Sequence, residues 1–502
     1  MAFVHDLTGI AVWQLEPLVG QILAAGVVPL LAVLTFRLTA SRSAGLWAAL
    51  LVGFVNNQPA YYVLWGRFTS ITSHLILMAL LICWLAAIES ARLRPGLIVL
   101  SVLACAALVH THYQTTVLAV VYLAIYMSIL VLRAPNLRAT MPELGRATLI
   151  VLMALLISAP WLLNTISGEL DRNLIYNSER QSTATFTGLV MPPITPFFLH
   201  QIVLFLAMIA VLIGIRLRRW RIMMLAAWAL ASLMIAFPYV FGLPGTGMLD
   251  PYLVSSILYL VMLPLAAYPL GLIHDRLLGQ NKPQYSAEAL SPGQQAKLNT
   301  RPTSSQALFI KLVQLLAILI SMAVSISGLQ WQRDLVPDYY RMVTTADLQA
   351  FDWIRKNTPA DAQFFVHSQP LYGGTMIVGT DAGWWLPLMA NRQTNVPPMT
   401  YGSEQSMPAD WGPKVNQLAA LTRRAPLNDE RKQAVDLSIP KIQQALRNAH
   451  LRYVYIGSQP LQGEKAFLAI DRIDVDKLRK SSAFRLVYDQ AGVLIFEMVA
   501  TQ

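Results

Sequence analysis

The sequence predicts a polytopic α-helical membrane bundle of about ten transmembrane helices, followed by an extracytoplasmic α/β domain. Of the 502 residues, 55% are hydrophobic and only 13% are charged, whereas about a quarter of the residues of a soluble protein are charged. The charge is also uneven, because residues 1–330 contain 10 Asp and Glu and residues 331–502 contain 17. We therefore divide the chain into a membrane domain, 1–330, and a soluble domain, 331–502.

The membrane domain contains nine apolar runs that are long enough to cross a bilayer, which takes about 17–25 residues each. A shorter run at 43–55 must cross as well if the topology is to alternate, which gives ten crossings. Cys83 and Cys105 both fall in apolar runs, which favours packing over a disulfide or a metal pair. The longer runs are 18–36, 70–88, 95–111, 114–132, 147–165, 197–215, 222–241, 253–273 and 308–328.

The distribution of basic residues indicates an orientation. If the first run passes from outside to inside, 16 of the 19 Lys and Arg residues of the membrane domain fall in inner loops. Only Arg67, Arg172 and Arg180 fall in outer loops, which is the bias expected from the positive-inside rule. The chain is therefore predicted to lie in the plasma (inner) membrane with its soluble domain outside the cytoplasm. Residues 279–306, rich in Gln, Ser and Pro, are predicted to be a cytoplasmic linker.

The soluble domain has the pattern of an α/β fold, in which amphipathic helices alternate with short apolar strands. Thr358-Pro359 is expected to end the first of these helices, because the residue before a proline disfavours helical geometry. The predicted elements are a helix at 347–357, strands at 363–367 and 452–456, helices at about 412–425 and 437–449, and a hairpin at 484–498 with its turn at 489–492.

Residues 56–69, NNQPAYYVLWGRFT, are a polar and aromatic segment between two apolar runs. Lipid offers no hydrogen bonds, so such a segment must be satisfied by protein or by water. Tyr61, Tyr62 and Trp65 offer stacking faces and polar donors, and Arg67 offers a planar fork suited to phosphate. We interpret the segment as the edge of a substrate-binding site. An interfacial aromatic belt with an arginine that reaches toward lipid headgroups is the alternative.

Residues 109–113, VHTHY, place a polar cluster at the outer end of a membrane helix. His110 and Tyr113 are three residues apart and are expected to share a helix face, with His112 pointing elsewhere. Such a cluster indicates a water-filled cavity or proton chemistry, so His110 and His112 are candidate catalytic residues and Tyr113 a candidate for substrate binding. Capping with interhelical hydrogen bonds explains them equally well. No metal site is predicted, since zinc typically takes three or four ligands.

Two further segments supply candidate residues. The loop 242–252 is rich in glycine but lacks the Lys-Ser/Thr ending of a phosphate loop, and Asp250 in it is a candidate catalytic acid at the outer face. Residues 379–398 are dense in Trp, Gly and Pro, and a core-and-turn segment explains them as well as a ligand-facing loop does. The candidate substrate-binding residues in this second segment are Asp381, Trp384, Trp385 and Arg392.

Together these stretches resemble the GT-C-type membrane glycosyltransferases and, more narrowly, bacterial membrane proteins of the 6-pyruvoyl-tetrahydropterin synthase-related group. The resemblance extends over nearly the whole chain. DAGWWLPLMANRQT at 381–394 is also loosely similar to the Trp-Trp-Asp region of oligosaccharyltransferase catalytic subunits, but here the acid precedes the Trp pair. The other similar stretches are PAYYVLWGRFT at 59–69, HTHY at 110–113, APWLL at 159–163 and WIRKNTPADAQFFV at 353–366.

The resemblance implies an enzyme that transfers a sugar from a polyprenyl-phosphate donor to a glycan or protein acceptor outside the cytoplasm. In such an enzyme Arg67 would bind the departing phosphate, and His110 or His112 would act near the phosphate or the acceptor. The family has a catalytic Asp in a first outer loop, and this sequence has no such loop, so we expect N-terminal truncation. A divalent metal would fit the chemistry, but no motif supports one, and the cofactor stays open.

A non-catalytic transporter, flippase or assembly factor for cell-surface polysaccharide is the alternative to an enzyme. The lipid bilayer is the expected environment in both cases. The net charge of +11 follows from loop topology and does not indicate nucleic-acid binding, because no stripe of Lys and Arg with interleaved aromatic residues occurs.

Overall fold

The computed structural model divides the chain into two compact units, Met1–Leu335 and Val336–Gln502. The division lies a few residues after the boundary that the charge distribution predicts. The structure describes residues 2–64, 66–166, 199–238, 251–277, 304–333, 342–371, 376–397, 411–421, 435–459 and 473–499.

The first unit is helical throughout its described residues. A π-helical turn, Leu51–Val55, continues α3, and a 3-10 turn, Leu137–Thr140, precedes α8. The helices are α1 (Ala2–Thr8), α2 (Val12–Thr39), α3 (Arg42–Leu50), α4 (Ala60–Leu64), α5 (Phe68–Ile88), α6 (Pro95–Thr111), α7 (Tyr113–Arg133), α8 (Met141–Ile166), α9 (Gln201–Arg216), α10 (Trp220–Ala236), α11 (Pro251–Ile257), α12 (Tyr259–Leu277) and α13 (Ser304–Arg333).

Among the described residues, six helical segments are long and apolar enough to cross a membrane, which identifies a multi-pass membrane protein. All ten predicted apolar runs coincide with helices, but four of these helices are shorter than a full crossing. The number of about ten crossings therefore stays a prediction. The six long segments are Val12–Thr39, Phe68–Ile88, Tyr113–Arg133, Leu137–Thr165, Leu253–Leu277 and Lys311–Arg333, and the shorter ones are Arg42–Val55, Pro95–Thr111, Gln201–Arg216 and Trp220–Ala236.

Contacts between distant loops gather several helix ends at one end of the bundle. Arg221, at the start of α10, donates a hydrogen bond to the Arg37 carbonyl at 2.7 Å and pairs with Glu89 at 2.6 Å. Arg146 of α8 donates to the carbonyl oxygen of Ala87 at 3.1 Å. All of these residues lie at or beside loops that the alternating topology puts on the inner side. The structure thus groups these loops together, while the side of the membrane that they face stays a prediction.

The second unit has an α/β fold, as predicted. Its five-stranded sheet has the order β4-β1-β5-β7-β6, in which β1 is parallel to β4 and β5, and β7 is antiparallel to β5 and β6. β2 and β3 form a separate antiparallel pair. The elements are α14 (Thr345–Asn357), β1 (Gln363–Val366), β2 (Ser368–Leu371), β3 (Met376–Gly379), α15 (Leu386–Met389), β4 (Gln393–Thr394), α16 (Trp411–Leu421), α17 (Pro440–Asn448), β5 (Tyr453–Ile456), α18 (Val475–Lys480), β6 (Phe484–Gln490) and β7 (Val493–Met498).

Alternating strand residues bury both faces of this sheet, because successive side chains of a strand point to opposite sides. On one face, Tyr455 packs against Phe351 of α14 with 5.8 Å between ring centroids. On the other face, Val454 belongs to a second core with Leu446 of α17 and Leu478 of α18. The sheet is therefore the middle layer of this unit, and helices cover it from both sides.

We expect Phe351→Ala to lower the free energy of unfolding of the second unit by about 3–4 kcal/mol, because it leaves a cavity in a closed core. The Phe351 side chain is only 1% exposed. Amide hydrogen exchange of β1 and β5 in the full-length chain measures the change. Gln349→Ala, at an exposed position of the same helix, is the matched control and should leave the exchange rates unchanged. Unchanged protection in Phe351→Ala would contradict this packing.

Candidate functional site

Residues 51–67 form a break between the helices α3 and α5. The helix α3 runs into the π-helical turn Leu51–Val55, a rare geometry that is frequent at functional sites. The backbone is extended at Asn56 and turns at Gly66, where φ is +62°, a conformation that glycine adopts without strain. Arg67 then caps α5. The interruption that Pro and Gly predict in this segment is present in the structure.

Hydrogen bonds from two other helices hold this break in place. Trp331 of α13 donates its Nε1–H to Asn57 Oδ1 at 2.6 Å, and Gln332 donates to the Gly53 carbonyl, also at 2.6 Å. The hydroxyl of Tyr62 is hydrogen-bonded to the hydroxyl of Ser256 in α11. Because lipid cannot satisfy polar groups, these contacts are what allows an irregular segment at this depth.

A buried histidine packs behind the break. The ring of His74, in α5, lies 5.7 Å from the Tyr62 ring and 5.6 Å from the Tyr259 ring, and its Nδ1 is 3.0 Å from the Tyr259 hydroxyl. His74 Nε2 and both amide atoms of Gln58 have no hydrogen-bond partner among the described residues, although both side chains are fully buried. The interior behind the break therefore has unused hydrogen-bonding capacity. The sequence signal that we missed was an ionisable residue in a long apolar helix.

Arg67 and His112 come together at the start of α5. His112 Nε2 lies 3.2 Å from the hydroxyl of Ser70, which is one turn after Arg67 in the chain. The backbone N–H of Thr115 donates to His112 Nδ1, so the proton of the neutral ring is on Nε2. The Arg67 side chain is exposed. The start of α5 thus has an exposed guanidinium and, about one turn away, an imidazole bonded to a hydroxyl, and these groups suit the oxygens of a phosphate.

The structure separates His110 from Tyr113. The helix α6 ends at Thr111 and α7 begins at Tyr113, with the extended residue His112 between them. His110 packs on Trp161 of α8 with 5.1 Å between ring centroids, whereas the Tyr113 ring stacks on His112. The prediction that His110 and Tyr113 share a helix face is therefore wrong, because the helix is interrupted between them.

The two tyrosines of the break are interior residues. Tyr61 is 4% exposed and Tyr62 is 2% exposed, so neither offers a stacking face to a ligand in this structure. Tyr62 instead fastens the break to α11 and to His74. Two other candidates, Trp65 and Asp250, lie outside the described residues.

The helix α2 brings a carboxylate to the same end of the bundle. Gly20 of α2 packs so closely on the break that an added Cβ would lie 2.5 Å from the Phe68 ring and 2.7 Å from Val63. Glu16 lies one turn before Gly20 on the same helix face, and it is half-buried. Among the described residues, no group of three or more His, Cys, Asp and Glu side chains is arranged to hold a metal ion.

Asp381, in the second unit, ties two loops together. Its Oδ1 accepts a hydrogen bond from the Gly383 N–H at 2.8 Å, and its Oδ2 accepts one from the Gly457 N–H at 2.9 Å. Burial and, to a smaller extent, the nearby Asp347 carboxyl raise the pKa of Asp381 to about 7, against the opposite effect of the two N–H donors. These contacts indicate that Asp381 stabilises the loops after β3 and β5.

The other candidate residues of this segment also make contacts within the second unit. Arg392 is only 6% exposed, and it donates to Thr358 Oγ1 at 3.0 Å and to the Thr358 carbonyl at 2.8 Å. Trp384 donates its Nε1–H to the Pro397 carbonyl at 3.3 Å, and Trp385 packs half-buried against the core. The core-and-turn interpretation agrees with these contacts, and substrate binding by this segment stays a prediction.

Solved structures match this chain in fold. ArnT from Cupriavidus metallidurans bound to undecaprenyl phosphate is 13% identical, with a TM-score of 0.51, and the match covers 99% of this chain and 86% of that chain. The two chains share a fold. The Archaeoglobus fulgidus oligosaccharyltransferase, tethered with an acceptor peptide, is 14% identical with a TM-score of 0.46. That match covers 88% of this chain, which spans only 58% of the oligosaccharyltransferase chain.

The other comparisons do not assign the chain to a family. No family model matches the chain, and no curated protein does. The apo state of ArnT from Cupriavidus metallidurans is 15% identical, with a TM-score of 0.48, and that match covers 99% of this chain and 85% of that one. The narrower resemblance to the 6-pyruvoyl-tetrahydropterin synthase-related group and the expected truncation therefore stay predictions.

We expect Asp381→Asn to flatten the pH dependence of the stability of the second unit. The folded pKa of about 7 lies above the value of about 3.9 for an unfolded Asp, so the folded state holds this proton more tightly. The stabilisation is fully present below pH of about 3.9 and is lost as the pH rises through about 7. Hydrogen exchange of β5 from pH 4 to pH 8, corrected for intrinsic rates, should show this loss in the wild-type chain only.

The exposed Asp352→Asn variant is the control for this prediction, since Asp352 lies in the same unit on the solvent side of α14. It should keep the wild-type pH slope. An Asp381→Asn variant with the wild-type slope would show that Asp381 does not titrate in this range.

Proposed function

We propose that this protein is a membrane glycosyltransferase that moves a sugar from a polyprenyl-phosphate donor to an acceptor outside the cytoplasm. The observation that carries the proposal is the exposed Arg67 at the start of α5, about one turn from the Ser70–His112 hydrogen bond, in a bundle whose fold matches that of ArnT. ArnT, whose fold it shares, was solved with undecaprenyl phosphate bound, and this ligand is the lipid phosphate that a polyprenyl-phosphate sugar would release on transfer.

Arg67 would bind the phosphate of the donor. Its guanidinium is exposed, and it stands directly before the first turn of α5. The unpaired N–H groups at the start of a helix favour an anion, so the helix end adds to the charge of the arginine. The imidazole Nε2–H of His112, which is donated to the Ser70 hydroxyl in this structure, would turn to the same phosphate when the donor binds. These donors would stabilise the negative charge of the departing phosphate.

Glu16 would act as the general base. In the proposed step the acceptor hydroxyl attacks the anomeric carbon of the sugar, and the bond from that carbon to the phosphate oxygen breaks. The bonding electrons leave on the lipid phosphate, beside Arg67, and the hydroxyl proton moves to the Glu16 carboxylate. Support for this role is the position of Glu16, one turn from Gly20, whose backbone packs on the break at Val63 and Phe68.

The outer side is proposed from the charge pattern. Arg67 falls in one of the few loops that the positive-inside rule puts outside, and the same orientation puts the soluble unit there. The acceptor class, a glycan or a protein, follows only from the resemblance. The site belongs to the membrane unit, because the candidate residues of the second unit are used in internal contacts.

Arg67→Gln is the first test of this proposal. It should weaken the binding of undecaprenyl phosphate to the full-length protein by roughly 30-fold or more, since it removes a charged partner of the phosphate. Native mass spectrometry measures the binding. Arg138→Gln removes the same charge at an exposed position of the predicted inner side and should bind as the wild type does. Equal binding by both variants would remove Arg67 from the site.

Glu16→Gln separates an enzyme from a binding protein. We expect it to reduce transfer from a polyprenyl-phosphate sugar by about 10²–10⁴-fold, the range of general base catalysis, while undecaprenyl phosphate binds with unchanged affinity. Wild-type transfer in Glu16→Gln would exclude Glu16 as the base. A wild-type protein that binds the lipid phosphate through Arg67 but transfers no sugar would favour the non-catalytic transporter, flippase or assembly factor.

A further inference from the structure

A groove of about 500 Å³ lies between the end of α7 and the turn that joins α9 to α10. Its wall is apolar and its rim is basic. Ile215 in this wall is 57% exposed and Leu132 is 83% exposed, so large apolar surfaces are uncovered here. The wall residues are Ile129, Leu132, Ile215 and Met223, and the rim residues are Arg133, Arg218 and Trp220.

The two arginines of the rim have no acidic partner among the described residues. The guanidinium of Arg133 lies 5.4 Å from the centre of the Trp220 ring, and Arg221 covers the same ring at 5.2 Å. Arg221 is neutralised by Glu89 at 2.6 Å, whereas no ion pair joins Arg133 or Arg218 to a described carboxylate. The groove therefore presents two uncompensated positive charges next to an apolar surface.

The backbone at Arg218 indicates that this arginine has a specific role. Its φ is +51°, in the left-handed region, and the residue that follows a helix in this conformation is usually glycine. The N–H of Arg218 donates to the Ile215 carbonyl and that of Arg219 to the Gly214 carbonyl, at 3.2 and 2.8 Å, which closes the end of α9. A side chain in a strained backbone conformation is often functional, and this one lines the groove.

The groove lies at the end of the bundle where Arg221 contacts Arg37. This end is distant from Arg67, because Gly20 and Arg37 lie near opposite ends of α2 and are separated by roughly 25 Å of helix. Tryptophan is enriched at the boundary between lipid and water, and Trp220 stands at the rim. A ligand here would meet hydrocarbon-like side chains on one side and two guanidinium groups on the other.

We propose that this groove binds an anionic phospholipid, with an acyl chain on the apolar wall and the phosphate on Arg133 and Arg218. Basic pockets between membrane helices are suited to anionic headgroups, and a planar guanidinium fork matches phosphate oxygens. A free phosphate would leave the apolar wall uncovered, which favours the lipid as the source of the anion. The site is separate from the proposed donor site and takes part in no bond-breaking step.

The test is native mass spectrometry of the full-length protein with phosphatidylglycerol and, separately, with phosphatidylcholine. The wild type should retain phosphatidylglycerol in preference to phosphatidylcholine. Arg133→Gln with Arg218→Gln should weaken phosphatidylglycerol binding by roughly 30-fold, about fivefold for each arginine near a headgroup. Arg138→Gln, in the neighbouring loop outside the groove, should keep wild-type binding. Equal retention of both lipids, or an equal loss in Arg138→Gln, would overturn the proposal.

Ile215→Trp tests the apolar wall without a change of charge. Because Ile215 is largely exposed, the substitution should fill the groove without disturbing the core, and phosphatidylglycerol binding should fall at least fivefold. An excess of inorganic phosphate should not displace the lipid from the wild type. Wild-type lipid binding in Ile215→Trp, or displacement by inorganic phosphate, would contradict the proposal. A dimer that only Ile215→Trp dissociates would assign the groove to a second copy of the chain.

Discussion

The membrane unit depends on how the break at residues 51–67 satisfies its polar groups away from water. Backbone at this depth has no hydrogen bonds from lipid, so the partners must come from the protein. Trp331 and Gln332 donate hydrogen bonds to the first part of the break, and a hydrogen bond between Tyr62 and Ser256 holds its second part. Once the break is held in this way, Arg67 is placed at the start of α5. The position of the charge is therefore a consequence of hydrogen bonds to two other helices.

The two ends of the bundle differ in how their arginines are used. At one end, Arg221 and Arg146 bind carbonyl oxygens and a carboxylate, so that their charge holds helix ends together. At the other end, Arg67 is exposed beside His112, where its charge is available to a ligand. Arg133 and Arg218 lie at the same end as Arg221 and Arg146. Like Arg67, however, they have no acidic partner among the described residues. The same residue type thus serves structure, donor binding and lipid binding, depending on its partners.

Long patterns were predictable from the sequence, and local geometry was not. The apolar runs became helices, and the hairpin at β6 and β7 was predicted because a turn that contains glycine, at 489–492, joins two strand-like segments. The interruption between the apolar runs 95–111 and 114–132 was predicted, but the placement of His112 was not, since its ring is held by Ser70, 42 residues away. Arg392 was predicted to bind substrate, because the sequence cannot show that its guanidinium N–H groups donate to Thr358. Glu16 gained its proposed role only from the close packing of Gly20 in the fold.

The most direct test of the account is a cryo-electron microscopy structure of the full-length protein with undecaprenyl phosphate bound. We expect the phosphate to lie within hydrogen-bonding distance, about 2.7–3.2 Å, of the Arg67 guanidinium, with His112 beside it. A phosphate bound elsewhere in the membrane unit, with Arg67 unoccupied, would contradict the assignment of this end of the bundle as the donor site.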